Sequence, residues 1–200
     1  MILNDAQIAK LCLQEEMIKP FHGRQISSGK ISSGLSSFGY DITLSGEEFL
    51  LYQNAYYGFT SDGEPSSGII DPKAFNPELL QAIYDVEDYF VLPPNSFVLA
   101  KTVETFKIPA NVLAVFLAKS TYARCGLIPN VTPAEPGWEG VLTLELTNCT
   151  PFPIKLYVNE GICQAIFLKG ERPNVTYADR KGKYQNQVNV TTPIVLKEGE

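Results

Sequence analysis

Between Phe90 and Leu168 the chain is a succession of short apolar runs cut by turns, and this pattern limits the available folds more than any other feature. Phe97 to Glu104, Val112 to Leu117, Leu127 to Val131, Val141 to Thr147, Ile154 to Val158 and Cys163 to Leu168 all have the length of strands. In the clearest of them Leu142, Leu144 and Leu146 alternate with Thr143, Glu145 and Thr147. That period of two places the leucines on one face and Glu145 on the other. Leu92-Pro93-Pro94-Asn95 reads as a turn. No helical stretch separates successive runs, so a βαβ rhythm and its parallel sheet are not expected. The pattern predicts an antiparallel all-β domain with peripheral helices, barrel or jelly-roll in form. Periodicity alone does not choose between those forms.

The flanks are different. Asn4 to Glu16 reads as a helix: Asn4 is the cap, Gln7 stands at capping-box spacing, and Ile8, Leu11 and Cys12 share a face. Asn76-Pro77-Glu78 predicts a second short helix ending near Tyr84. Residues 23–39 and 54–68 read as polar loops, the first leading into a short strand from Tyr40 to Leu44. The 54–68 loop carries Tyr56, Tyr57 and Phe59, side chains suited to covering a subunit contact. Three basic residues and one acidic residue lie between Tyr177 and Gln187, which suits a cationic flap over an anionic ligand.

A chain of 200 residues with 44% apolar side chains suits one compact domain with a real core. Charged residues are only 19%, a lean surface compatible with an oligomer, and the formal net charge of −6 argues against broad nucleic-acid binding. The N-terminal residues lack the basic leader and apolar run of a signal peptide, and no stretch approaches a membrane span, so the cytoplasm is the expected compartment. Cys12, Cys125, Cys149 and Cys163 form no CxxC pair and are expected as reduced, mostly buried thiols. The zinc deaminase signature, HxE with PCxxC, is absent; His22 is the single histidine and reads as a loop residue.

Five segments, taken in order, resemble the dCTP deaminase branch of the trimeric dUTPase-like superfamily. They are Ser36 to Asp41, Ala118 to Gly126, Thr132 to Glu145, Asn159 to Gln164 and Tyr177 to Gln187. The resemblance implies a dUTPase-like distorted β-barrel or jelly-roll, with residues 1–173 as the deaminase domain and 174–200 as a nucleotide-covering lid and tail. It implies a homotrimer with sites between subunits, hydrolysis of dCTP to dUTP and ammonia without zinc, and Mg²⁺ carried in on the substrate triphosphate. dTTP is a candidate inhibitor.

The same resemblance supplies roles. Glu145 matches the catalytic carboxylate, and a carboxyl in a partly dry site has the chemistry to take a proton from water and return it to the ring or the leaving amine. Ser120 and Arg124 match residues beside the reacting base. Lys119 and Thr121 match phosphate contacts; all four lie within six positions, without the glycine spacing of a Walker loop. Glu135 matches the carboxylate that meets the sugar 3′-hydroxyl, Trp138 the support for that sugar or its loop, and Tyr177, Lys183 and Gln187 the lid contacts, with Gly182 able to supply a bend. Two other functions stay open at this point. Glu135 stands where a dUTPase has an aspartate, so a dUTPase or bifunctional enzyme is one, and a nucleotide-holding module without turnover is the other.

Overall fold

The computed structural model describes residues 1–53, 61 and 68–195. The loop aromatics Tyr56, Tyr57 and Phe59 lie outside the described residues. The first helix, α1 (Asp5–Glu15), is closed by the anticipated capping box: Gln7 N–H donates to Asn4 Oδ1 at 3.0 Å and Asn4 N–H to Gln7 Oε1 at 3.1 Å. It buries Ile8 and Cys12 against the β core.

Strands follow in short pieces: β1 (Ile18–Lys19), β2 (Gly34–Ser36), β3 (Gly39–Thr43), β4 (Glu48–Tyr52), β5 (Leu80–Tyr84), β6 (Tyr89–Leu92), β7 (Phe97–Lys107) and β8 (Val112–Ala118). After the one-turn helix α2 (Ser120–Ala123) come β9 (Leu127–Pro129), β10 (Glu139–Asn148), β11 (Ile154–Tyr157) and β12 (Gly161–Lys169). One sheet runs β5-β4-β7-β10-β9 with β1 added to β7, a second runs β2-β3-β12-β8, and β6 pairs with β11. Every strand pairing among the described residues is antiparallel. The expected all-β fold with peripheral helices is therefore what the chain forms.

The core joins the sheets through Tyr40, Phe49, Phe106, Leu144 and Phe167, none of them exposed. The alternation in β10 is realised: Leu142, Leu144 and Leu146 are buried, and Thr143, Glu145 and Thr147 are half-buried on the other face. Opposite β10, strand β7 bulges. The residue facing Val141 is Thr105, but the residue facing Thr143 is Lys101. Thr102 fills the gap, its Oγ1 accepting the Leu142 N–H at 3.0 Å.

Two expectations are corrected. Residues 77–84 are not a helix. Asn76 does cap Glu78 N–H at 2.9 Å and Pro77 opens a turn of 3-10 helix (Pro77–Leu79), but Leu80 to Tyr84 then pairs along β4. Pairing with a neighbouring strand overrides the local start signal. The cysteines are free, as expected, but Cys125 and Cys149 are exposed; only Cys12 and Cys163 are buried, where desolvation pushes each thiol up to about 12. No helix among the described residues is long and apolar enough to cross a membrane.

Candidate active site

Glu145 is fixed from both sides of its strand. It pairs with Leu99 on β7, and its carbonyl accepts the Asn130 N–H at 2.8 Å. Its side chain leaves the leucine face and enters a cavity of about 740 Å³. Oε2 is buried there without a hydrogen-bond partner. Desolvation raises the carboxyl from an ordinary 4.5 to about 7, against a smaller lowering from its own backbone N–H. A group at that value holds both protonation states near neutral pH, as a proton shuttle requires.

The cavity is lined by a polar set and an apolar set of residues. Glu135, Thr143, Lys183 and Gln187 supply the first; Trp138 and Tyr177 stand beside them, and Tyr52, Phe97 and Leu99 form much of the second. A cleft of this size accommodates a nucleotide-sized ligand.

The C-terminal segment makes one wall. Trp138 Nε1–H donates to the Tyr184 carbonyl at 2.8 Å, and Tyr184 N–H donates to the Tyr177 hydroxyl at 3.0 Å. Asn186 N–H donates to the Glu139 carbonyl and Val141 N–H to the Gln187 carbonyl, each at 2.8 Å. Gln187 Nε2–H donates to the Val141 carbonyl at 3.1 Å and to Thr143 Oγ1. The bend expected at Gly182 is taken by Lys181, whose φ is 52°. Gly182 serves instead as clearance: a Cβ there would lie 2.1 Å from the Tyr177 ring. Lys183 donates its ammonium to the Ile194 carbonyl, and Arg180 pairs with Glu135 while lying over the Tyr177 ring.

The 118–126 segment forms a second group. Ser120, Thr121 and Arg124 are exposed and do not line the Glu145 cavity; Arg124 Nη1–H donates to the Ser120 carbonyl at 3.3 Å. Lys119 is buried, its ammonium 2.6 Å from Asp41 Oδ2, which also accepts from Gln25 Nε2–H at 3.1 Å. The Ser36 to Asp41 segment thus meets the start of α2 through one buried ion pair.

Comparison with known proteins sets this geometry in context. A family model described as dCTP deaminase-like matches residues 2–170. The dCTP deaminase of Herpetosiphon aurantiacus is 50% identical over 191 residues, covering 94% of this chain and 96% of that protein. That of Campylobacter lari is 50% identical over 194 residues, covering 96% and 97%. This chain belongs to the dCTP deaminase-like family. A solved structure, the 2'-deoxycytidine 5'-triphosphate deaminase of Agrobacterium tumefaciens, superposes with a TM-score of 0.59 at 19% identity, over 84% of this chain and 48% of that one. That likeness concerns the fold alone.

Of the residues singled out in the sequence of this family member, the fold brings Glu135, Trp138, Glu145, Tyr177, Lys183 and Gln187 to one cavity and leaves Lys119, Ser120, Thr121 and Arg124 elsewhere on the same chain. Sequence reading missed Tyr52, Phe97, Thr143 and Tyr184 as lining residues. Thr143 was within reach, since it lies two residues before Glu145 on the same strand face. The aromatic wall was not, because it depends on how β4 and β7 pair. Among the described residues no group of three or more His, Cys, Asp or Glu side chains is placed to hold a metal ion.

Proposed function

We propose that this chain catalyses the hydrolytic deamination of dCTP to dUTP and ammonia, with Glu145 moving the protons. The supporting observation is the unpartnered, buried Oε2 of Glu145, on a carboxyl raised to about 7, inside a nucleotide-sized cavity. The ionised carboxylate takes a proton from water as the water oxygen attacks C4 of the cytosine ring. The carboxyl so formed protonates N3; the regenerated carboxylate then takes the second water proton from the new C4 hydroxyl and passes it to the 4-amino group, which leaves as ammonia as C4 becomes a carbonyl. Water and dCTP are consumed, and dUTP and ammonia account for every atom.

The other residues hold. Tyr177, Lys183 and Gln187 face the triphosphate from the C-terminal wall, and Glu135 and Trp138 face the sugar. Arg180 already neutralises Glu135, which favours a sugar-holding role over activation of a water at phosphorus. Mg²⁺ would accompany the substrate triphosphate and offset its charge, with Lys183 beside it. The sequence holds one histidine, His22, and no PCxxC, so water activation is assigned to Glu145 and not to a zinc-held oxygen.

Because Ser120, Thr121 and Arg124 stand outside the Glu145 cavity of their own chain, the proposed site is completed by a second copy, in a homotrimer. dTTP, of similar size but with an oxygen at C4, is the expected inhibitor. The cytoplasm, where nucleotide pools are handled, is the proposed location.

Ammonia release from MgdCTP, with product identification, tests the reading. Glu145→Gln is expected to lower kcat by roughly 10²–10⁴-fold, the usual worth of general acid–base catalysis. Equal rates in the two proteins would remove Glu145 from its role, and dUMP with pyrophosphate as the products would move the chemistry to phosphorus.

A further inference from the structure

Beyond the residues that line the cavity, one buried cation holds the cavity's C-terminal wall in place. Lys101 lies in β7 directly opposite Thr143 of β10, a register created by the β7 bulge. Its side chain is 8% exposed. The ammonium is 2.6 Å from Glu47 Oε2, and it donates to the Val188 carbonyl at 3.1 Å and to Asn189 Oδ1 at 3.4 Å.

Neighbouring groups grip the same stretch. Val190 N–H donates to Glu48 Oε2 at 2.9 Å, and Thr191 N–H donates to Thr143 Oγ1 at 3.3 Å. Gly140 has a φ of 149°, and a Cβ there would lie 2.8 Å from Gln187 N and O, so strand and strap touch backbone to backbone. Gln187 stands between two cavities: it lines the Glu145 cavity on one side and a second, of about 760 Å³, around Lys101 on the other. On its N-terminal side Gln187 is held to β10 by Val141, Thr143 and the Asn186–Glu139 bond; the bonds to residues 188–190 hold the strap on its C-terminal side.

We infer that Lys101 is a positioning residue for the deamination: with Glu48 it latches residues 188–190 so that Gln187 and Lys183 face the bound nucleotide. Lys101 itself lines the other cavity and not the one that Glu145 enters. A buried charge that spends its hydrogen bonds on two successive residues of a terminal strap costs desolvation, and a strap with that anchor opens less often than one held by surface contacts.

The test pairs two readouts on the full chain. In Lys101→Met the amide protons of Asn186 and Val190 exchange faster in the absence of nucleotide, while those of β3 and β12 are unchanged. KM for MgdCTP rises about tenfold with kcat changed less than about threefold, the size of losing one charge-assisted hydrogen bond from a group acting through binding. Lys101→Arg, which keeps charge and donors, restores both. If Lys101→Met does not fold, Glu48→Ala combined with Asn189→Ala reads the same latch and is expected to shift KM in the same direction. Native KM in a folded latch variant, or unchanged strap exchange, overturns the proposal. The kinetic arm rests on the deaminase reading, whereas the exchange arm does not. A strap that loosens in a protein that releases no ammonia from MgdCTP would sink the deaminase reading and leave the latch standing.

Discussion

Glu145 meets two opposing demands with one carboxyl. As the proposed base it must be ionised, yet its buried Oε2 has no hydrogen-bond donor to stabilise the charge. Burial therefore lifts it to about 7, where the ionised and protonated forms coexist near neutrality. The consequence for catalysis has a definite sign. The free enzyme needs the ionised form to take the water proton, so kcat/KM for dCTP is expected to rise with pH up to about 7 and then level. A profile measured from pH 5 to 9 checks this. A flat profile across that range, or a rising limb retained in the residual activity of Glu145→Gln, would place the titrating group elsewhere. Lys119 shows a different use of burial. Its ammonium and Asp41 desolvate together at 2.6 Å, so the pair joins two segments of the chain and is costly to break from one side.

At the scale of the element, β7 decides most of the site. Its bulge sets Lys101 opposite Thr143 and turns Glu104 inward, 1% exposed. Glu104 accepts the Thr43 hydroxyl at 2.8 Å and the Thr43 N–H at 3.0 Å, which ties β7 to β3 in the other sheet. Burial outweighs those bonds and raises its carboxyl from 4.5 to about 7. Between those values the folded state holds a proton that the unfolded chain releases, so the stability that Glu104 contributes is full below 4.5 and is lost as pH rises through about 7. Urea unfolding at pH 5 and 7.5 is expected to show this fall, and Glu104→Gln to reduce it. A native-sized fall in the variant would exclude Glu104 as a source. Glu104→Ala leaves the Thr43 N–H buried without an acceptor and is expected to cost about 1–3 kcal/mol.

The elements also show what a sequence discloses. The capping box at Asn4 and the leucine alternation of β10 depend only on residues a few positions apart, and both were legible. So was Glu145 on the face away from the leucines. Strand β5 was read as helix because Asn76-Pro77-Glu78 is a genuine start signal, and nothing local reveals the partner β4 that extends the chain after Leu79. Lys101 and the Tyr52–Phe97 wall were hidden for the same reason. Their places follow from which strands pair and where one of them bulges, a property of the assembled sheet.

For the whole molecule, the division of the motif residues is the most informative fact. Six of them converge on the Glu145 cavity, while Ser120, Thr121 and Arg124 remain exposed on the same chain. Arg124 directly follows α2 and precedes β9, and it is not among the residues that line the Glu145 cavity of its own chain. In the proposed cyclic homotrimer the Arg124 of one copy would meet the Glu145 of the next without rearrangement of either chain. The arrangement predicts complementation. Glu145→Gln and Arg124→Ala are each expected to be nearly inactive alone. Mixed under conditions that exchange subunits, they form some sites with a native Glu145 from one copy and a native Arg124 from another, about one site in four for random closed rings. Activity of the mixture is then expected near a quarter of the native value, with mixed oligomers counted by native mass spectrometry. If mixed oligomers form and activity stays at the sum of the two variants, both groups come from one chain. In that case α2 must move within the subunit to reach the nucleotide.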